Sequence, residues 1–135
     1  MIAGRLALVV SVALVAGCGG APEPRACPAA LTGEPKRRPP AALELPAGAH
    51  VYLSEGPFGK TERFYAELDG TPEDLASRRD DAQNELVQNW GFASLSTDQE
   101  EGSEAEAHLK GEKHTVDIQV APLCEGKIRI RYTVS

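Results

Sequence analysis

The amino-acid sequence predicts an α+β domain, in which an antiparallel sheet of about five or six strands has one helix packed on one face. Several segments alternate apolar and polar residues, which is typical of strands with one buried face and one face in water. One stretch, residues 71–91, has the residue spacing and the end signals of a helix. The predicted order of elements is ββαββββ.

The first two strands are predicted to form a hairpin. Residues 50–54 alternate, the Gly56-Pro57-Phe58-Gly59 segment interrupts the pattern, and residues 62–68 alternate again. The second strand then buries one row of side chains: Phe64, Ala66 and Leu68. Its other row is expected to face water.

The predicted helix has signals at both ends. Thr71 is a typical N-cap residue, Pro72 fits the first turn, and the acidic side chains at positions 73 and 74 complement the helix dipole. Gly91 is a typical residue at the C-terminal end. One apolar stripe follows at helical spacing: Leu75, Ala82, Leu86 and Trp90. We expect Trp90 to close the end of the core, with an exposed anchor for a partner as the alternative.

Four further strands are predicted after the helix. Their approximate bounds are residues 92–96, 104–110, 114–121 and 127–134. In the last two, apolar residues alternate with polar or charged residues, so that each kind occupies its own face. One side of the sheet is therefore expected to be covered and the other to face water.

Gly111-Glu112 has the composition of a two-residue hairpin loop, which would set the register of the strands on either side. In that register Glu106 faces Asp117, and the next hairpin places Arg131 beside Asp117. These three side chains would form a row on the exterior face of the sheet. We interpret the row as structural, with an anion-binding or catalytic site as the alternative.

The histidines and acidic residues do not indicate a metal site. In the predicted register His108 points to the polar face and His114 to the apolar face, whereas a zinc site needs converging ligands. The acidic run between Asp98 and Glu106 lacks the alternating ligands of a calcium loop, and we expect it to be a solvated loop. No metal and no cofactor are predicted.

Motifs of nucleophilic catalysis and phosphate binding are absent from the sequence. It contains no G-x-S-x-G turn for a serine nucleophile and no glycine-rich phosphate loop. With 20 acidic and 14 basic residues, the chain has a formal net charge of −6, which argues against nucleic acid and anionic lipid as partners. No catalytic residue is predicted.

An apolar run near the N-terminus, residues 6–16, follows Arg5 and is shorter than the roughly 20 residues of a transmembrane helix. It leads into Leu14-Val15-Ala16-Gly17-Cys18, in which two small residues precede a cysteine. This arrangement resembles the signal peptide and lipobox of bacterial lipoproteins. The resemblance implies that residues 1–17 are removed and that Cys18 becomes the acylated N-terminus.

The same resemblance implies a location. Acyl chains on Cys18 would anchor the protein in the cell envelope, facing the periplasm or the exterior, and two or more chains hold a protein stably. Gly19 stands where an aspartate would retain such a protein in the inner membrane, which favours the outer membrane. Because the chain is acidic, we expect membrane contact through the acyl chains alone.

Residues 18–42 are predicted to be a tether, and residues 43–135 a small folded domain. Six of the ten prolines lie in the first segment, together with a Lys36-Arg37-Arg38 cluster. Such a composition favours an extended or disordered chain.

Two further cysteines, Cys27 and Cys124, remain in the exported part of the chain. In an oxidising compartment we expect them to form a disulfide, with a free thiol or a bond to another chain as the alternatives. The disulfide would close a long loop and contribute about 4 kcal/mol through chain entropy.

The leading functional interpretation is a lipid-anchored envelope lipoprotein whose non-catalytic module binds or supports an envelope protein. Tyrosine and arginine are enriched at interaction hot spots, so the polar sheet face is the first candidate surface. Its residues are His50, Tyr52, Arg63 and Tyr65. The alternatives are a carrier of a small apolar ligand in a pocket between helix and sheet, and an inhibitor of an exported hydrolase that uses the loop at residues 122–126.

Overall fold

The computed structural model describes residues 25–135, and in them one six-stranded antiparallel sheet lies against one α-helix. The predicted α+β class is confirmed. The elements are β1 (His50–Phe58), β2 (Thr61–Asp69), α1 (Leu75–Trp90), β3 (Ala93–Glu100), β4 (Glu104–Lys110), β5 (Thr115–Cys124) and β6 (Lys127–Val134).

The order of strands across the sheet is β1-β2-β6-β5-β4-β3. The helix α1 carries the chain from β2 to the far edge of the sheet, and the last four strands return as a meander. The final strand β6 thereby pairs with β2, the last strand before the helix. The predicted order ββαββββ is confirmed.

The ends of α1 follow the sequence signals. At the start, a single turn of 3-10 helix (Pro72–Asp74) precedes it, and the Asp74 carboxylate accepts a hydrogen bond from the Thr71 backbone N–H at 2.8 Å. Since this bond favours the ionised carboxylate, it lowers the pKa of Asp74. At the other end Gly91 has a φ of +70°, the left-handed conformation that glycine adopts without strain.

The expectation that Trp90 closes the core is wrong. Its side chain is 46% exposed, whereas Leu75, Ala82 and Leu86 of the same stripe are buried. The fourth buried position of α1 is occupied by Arg79, whose Nη1 donates to the backbone oxygen of Asp98 at 2.9 Å. The buried row of the helix is therefore displaced toward its N-terminal half.

The helix covers one half of the apolar sheet face, and the N-terminal segment covers part of the rest. Within the described chain, α1 packs mainly against β4 and β5, with further contacts to β3. Leu43 is buried in the core cluster, and Leu45 and Ala49 pack against it. From the sequence, the helix alone is expected to cover the apolar face of the sheet.

The predicted disulfide between Cys27 and Cys124 is confirmed, with Cα atoms 5.0 Å apart. It joins the start of the described chain to the last residue of β5. Beside it, the backbone N–H of Glu125 donates to the backbone oxygen of Arg25 at 2.7 Å. Two kinds of bond thus attach this segment to the turn between β5 and β6.

The described part of the predicted tether, residues 25–42, lies against the sheet instead of extending away from it. Leu31 is buried. The backbone N–H of Arg37 donates to Ser54 Oγ at 3.0 Å, and its guanidinium lies 2.9 Å from the Glu62 carboxylate. The proline-rich composition predicts neither these contacts nor the 3-10 turn at Ala29–Thr32.

The register between β4 and β5 differs from the prediction by two residues. Lys110 pairs with Thr115, so that the loop contains residues 111–114, and the Gly111 N–H donates to the His114 oxygen at 2.7 Å. A two-residue loop of the predicted kind needs a positive φ at its first position, and Gly111 does not have one. A Cβ at Gly111 would lie 2.7 Å from the Phe92 ring, which explains a glycine here without a tight turn.

Strands β1 and β3 each extend four residues beyond their predicted ends. β1 continues through Gly56-Pro57-Phe58, because irregularities in its pairing with β2 absorb the extra residues and the chain turns only at Gly59-Lys60. β3 includes Asp98 and Glu100, so the acidic run is partly a strand. This strand lies at the edge of the sheet and all its residues are exposed, which suits its polar composition.

Candidate functional site

The candidate site lies on the exterior face, by which we mean the sheet face opposite α1. All four predicted surface residues lie there. Arg63 and Tyr65 occupy alternate positions on β2, and His50 of β1 pairs with Glu67. Tyr52 lies at an irregularity of β1, with its ring centroid 6.5 Å from that of Tyr65. The tyrosines are therefore adjacent, whereas His50 and Arg63 lie at opposite ends of the paired region of β1 and β2.

The two tyrosine hydroxyls remain protonated at neutral pH. Burial raises the pKa of Tyr52, and burial together with a hydrogen bond to Glu55 raises the pKa of Tyr65. The guanidinium of Arg129 lies 5.7 Å from the centroid of the Tyr65 ring, a cation–π distance. Both phenols thus keep their protons on this face.

Besides Arg63, the exterior face carries two further arginines that do not belong to the predicted surface. Arg63 of β2 faces Thr133 of β6, and two arginines of β6 occupy the next exterior positions along that strand. The three therefore form a diagonal row at the centre of the sheet. We call this row the arginine cluster: Arg63, Arg129 and Arg131.

Uncharged side chains flank Arg131 on both sides. Its partners are Tyr65 on β2 and Gln119 on β5. The Gln119 amide separates acids from bases, since its oxygen accepts from Arg129 Nη2 at 3.1 Å and its nitrogen donates to the Glu104 carboxylate at 2.9 Å. The acidic side chains of β4 therefore do not pair directly with the cluster.

The carboxylate nearest to Arg129 in the register is already paired. Arg129 faces Ala121 on one side and Glu67 on the other. Lys127 Nζ lies 3.0 Å from Glu67 Oε2 and 2.7 Å from Asp69 Oδ1. The hydrogen bond between Lys127 and Asp69 raises the pKa of Lys127 and lowers the pKa of Asp69.

Arg63 pairs in register with Glu55, but no ion pair within 4.0 Å joins them. In residues 25–135 no carboxylate lies within that distance of any guanidinium of the arginine cluster. The Nε–H of each of its members is shielded from solvent and has no hydrogen-bond partner among the described residues. Shielded donors without partners are uncommon and costly, which singles this row out from the other basic residues.

The predicted row of Glu106, Asp117 and Arg131 is wrong as a set of neighbours. Because of the two-residue shift, Glu106 pairs with Gln119 and Asp117 pairs with His108. The strand period of two explains the error, since a shift by two residues keeps every side chain on its predicted face and changes only its partners.

The observed neighbours include a histidine–aspartate pair. His108 Nδ1 lies 2.7 Å from Asp117 Oδ1, and Ser96 is the partner of His108 on the other side. A Ser-His-Asp triad needs a hydrogen bond from the serine to the imidazole, and the Ser96 hydroxyl makes none in the described structure. The pair is therefore reported as an exposed hydrogen bond without an engaged nucleophile.

Two cavities bear on the alternative of a carrier of a small apolar ligand. A cleft of about 550 Å³ lies between the start of the helix and the turn that joins β3 to β4. Its lining includes several acidic side chains: Glu73, Glu100, Glu101 and Glu104. The space beside Leu43 and Phe92 holds only about 10 Å³, far less than the 300 Å³ or more of a ligand pocket.

Cys18, the predicted lipidation site, lies outside the described residues. Among residues 25–135 no helix has the length and the apolar character needed to cross a bilayer. Comparison of the chain with protein-family models, curated proteins and solved structures finds no match.

Proposed function

We propose that this protein is an envelope lipoprotein, anchored through acyl chains on Cys18, whose sheet domain is a non-catalytic binding module. The partner is an envelope component that binds the exterior face. The observation that carries the proposal is the arginine cluster beside Tyr52 and Tyr65, in which three guanidiniums have no carboxylate partner in residues 25–135.

The cluster does not serve the packing of the core. The core lies on the other face and is built from apolar side chains such as Phe64 and Ile130. Arginines that stabilise a fold usually do so through carboxylates or carbonyl groups, as Arg37 and Arg79 do here. A tyrosine and arginine surface whose guanidiniums lack carboxylate partners is instead typical of an interaction site.

The attachment of the N-terminal segment limits the distance from the membrane. From Cys27 onward the chain is held to the turn between β5 and β6. Cys18 and Cys27 are nine positions apart in the sequence, and a fully extended chain of that length spans at most about 30 Å. In this proposal the domain therefore works close to the bilayer and not at the end of a long tether.

The test is co-purification from solubilised envelopes with the full chain as bait. The double variant Tyr52→Ala/Arg63→Ala is expected to lower recovery of the partner at least tenfold with an unchanged melting temperature, because both side chains lie on the exterior face. Arg78→Ala is the matched control, since it removes one positive charge from the helix. Equal recovery by the double variant and the wild type would exclude the exterior face.

An inhibitor of an exported hydrolase receives less support. The predicted inhibitory loop at residues 122–126 belongs largely to β5, which continues through Cys124. Cys124 pairs with Lys127, so only a short turn remains between the strands. A rigid protruding loop, which such an inhibitor would need, is not formed there.

A further inference from the structure

We propose that the arginine cluster binds a phosphate group of the partner, so that Arg63, Arg129 and Arg131 form a phosphate subsite on the exterior face. The inference rests on the proposed function, because it names the chemistry that the same surface recognises. It goes further by assigning the ligand class and the atoms that bind it.

The first argument is the unused hydrogen-bonding capacity of the cluster. A guanidinium binds an oxyanion through a fork that combines its Nε–H with one Nη–H. In each member of the cluster the Nε–H has no partner among the described residues. Because each Nε–H is shielded, the side chain must turn toward solvent before this fork can reach an anion. That movement breaks no ion pair in residues 25–135, in contrast to Arg37, which is already bound to Glu62.

The second argument is the spacing of the row. Arg129 and Arg131 occupy positions i and i+2 of β6, which are about 7 Å apart along a strand. Arg63 lies diagonally across from Arg131, about 7 to 8 Å away. Side chains as long as that of arginine can converge from this spacing on one anion above the sheet.

The third argument distinguishes phosphate from carboxylate. A carboxylate has two oxygens and satisfies one guanidinium fork, whereas a phosphate monoester has three free oxygens and can accept from several forks at once. Three adjacent guanidiniums therefore match phosphate better. Uncharged side chains, Tyr65 and Gln119, are the partners of Arg131 on both sides, so no negative charge lies directly beside it in the register.

The charges around the cluster limit the size of the anion. Glu55 and Glu67 lie on the β1 and β2 side, and Glu104 and Glu106 lie beyond Gln119 on β4. These carboxylates would repel an extended anionic surface that covers the whole sheet. The arrangement suits a compact phosphate group that contacts the centre of the face only.

The test follows the arginine Nε–H resonances of the full chain in uncharged detergent micelles by NMR. Sodium pyrophosphate is the probe, with sodium chloride at matched ionic strength as the reference. We expect saturable shifts at the three resonances of the cluster with pyrophosphate and none with chloride. Arg131→Gln should weaken the binding at least tenfold, and Arg78→Gln, which removes the same charge from α1, should leave it unchanged.

Two further arms identify the source and the chemistry of the phosphate. Succinate should bind at least tenfold more weakly than pyrophosphate, and equal binding would overturn the assignment to phosphate. Phosphatidylcholine vesicles with and without phosphatidylglycerol test for a lipid headgroup. A shift that appears with phosphatidylglycerol supports a headgroup, and a shift with pyrophosphate alone supports a soluble phosphate ester.

Failure of this inference is distinct from failure of the proposed function. If pyrophosphate causes no shifts while Tyr52→Ala/Arg63→Ala still loses the envelope partner, the phosphate site is overturned and the binding module stands. If pyrophosphate binds while that double variant recovers its partner normally, the proposed function is overturned.

Discussion

The indole N–H of Trp90 donates a hydrogen bond to the Glu44 carboxylate at 3.1 Å. The same carboxylate oxygen accepts from Asn89 Nδ2 at 3.0 Å. The last turn of the helix is thus attached to the N-terminal segment just after Leu43, which is buried in the core. Trp90 joins two parts of the cover of the sheet and does not fill the space beneath them.

This contact predicts a modest role for Trp90 in stability. Trp90→Ala should lower the free energy of unfolding by about 1 to 3 kcal/mol, because it removes one hydrogen bond and the contacts of a roughly half-buried ring. Leu86→Ala should cost about 2 to 5 kcal/mol, because Leu86 is fully buried. Urea unfolding of the two variants measures both values, and a larger loss for Trp90→Ala would contradict the observed exposure.

The disulfide is expected to hold the N-terminal segment against the sheet. The double variant Cys27→Ser/Cys124→Ser should lose about 4 kcal/mol of stability, since the two cysteines are 97 residues apart. Trypsin should also cleave faster at Lys36-Arg37-Arg38 in this variant than in the oxidised wild type. Equal cleavage rates would show that the contacts of Arg37 and Leu31 are sufficient without the disulfide.

Tyr132 offers a test of an unpaired buried hydroxyl. Its side chain is fully buried, its oxygen has no hydrogen-bond partner among the described residues, and burial raises its pKa. Tyr132→Phe is expected to stabilise the fold by about 1 kcal/mol, because it removes a donor that pays a desolvation cost. Tyr65→Phe is the control at the solvent-facing position of β2. A marked loss of stability in Tyr132→Phe would mean that the hydroxyl has a partner.

Acidification should weaken the fold through Asp69 and Asp74. Hydrogen bonds from Lys127 and from the Thr71 backbone lower the pKa of these carboxyls below the reference value of 3.8. A carboxyl whose pKa is lower in the folded state than in the unfolded state stabilises the fold at pH values above its unfolded-state pKa. This stabilisation is lost as the pH falls through the folded-state pKa. The urea concentration at the midpoint of unfolding should therefore decrease as the pH is lowered below 4. The decrease should be smaller in the double variant Asp69→Asn/Asp74→Asn.

The sequence predicts which face of the sheet a side chain occupies better than it predicts which residue lies opposite on the neighbouring strand. Alternation in residues 104–110 and 127–134 gave both strands with the bounds that the structure has, and their apolar rows are buried. The pairing of Asp117 was wrong by two residues, because alternation repeats every two positions and does not distinguish one register from the next. The observed register leaves a loop of four residues after Lys110, in which Gly111 lies beside Phe92 with no room for a Cβ.

The candidate site was predicted only in part for the same reason. Tyr52, Arg63 and Tyr65 belong to one predicted hairpin, so the sequence placed them on one face. Arg129 and Arg131 lie more than 60 residues further along the chain, and they join the site because β6 pairs with β2. That pairing depends on how the helix crosses the sheet, which no local pattern of residues encodes.

The sequence by itself determined the class of the fold, the helix and its ends, the exposed and buried rows of the strands, and the expected disulfide. These follow from local periodicity, end signals and the number of cysteines. The tertiary structure decided which strands are neighbours, which carboxylates are already paired, and that the N-terminal segment lies against the sheet. Such properties depend on contacts between distant residues, where packing and charge select one arrangement among several that share the same local pattern.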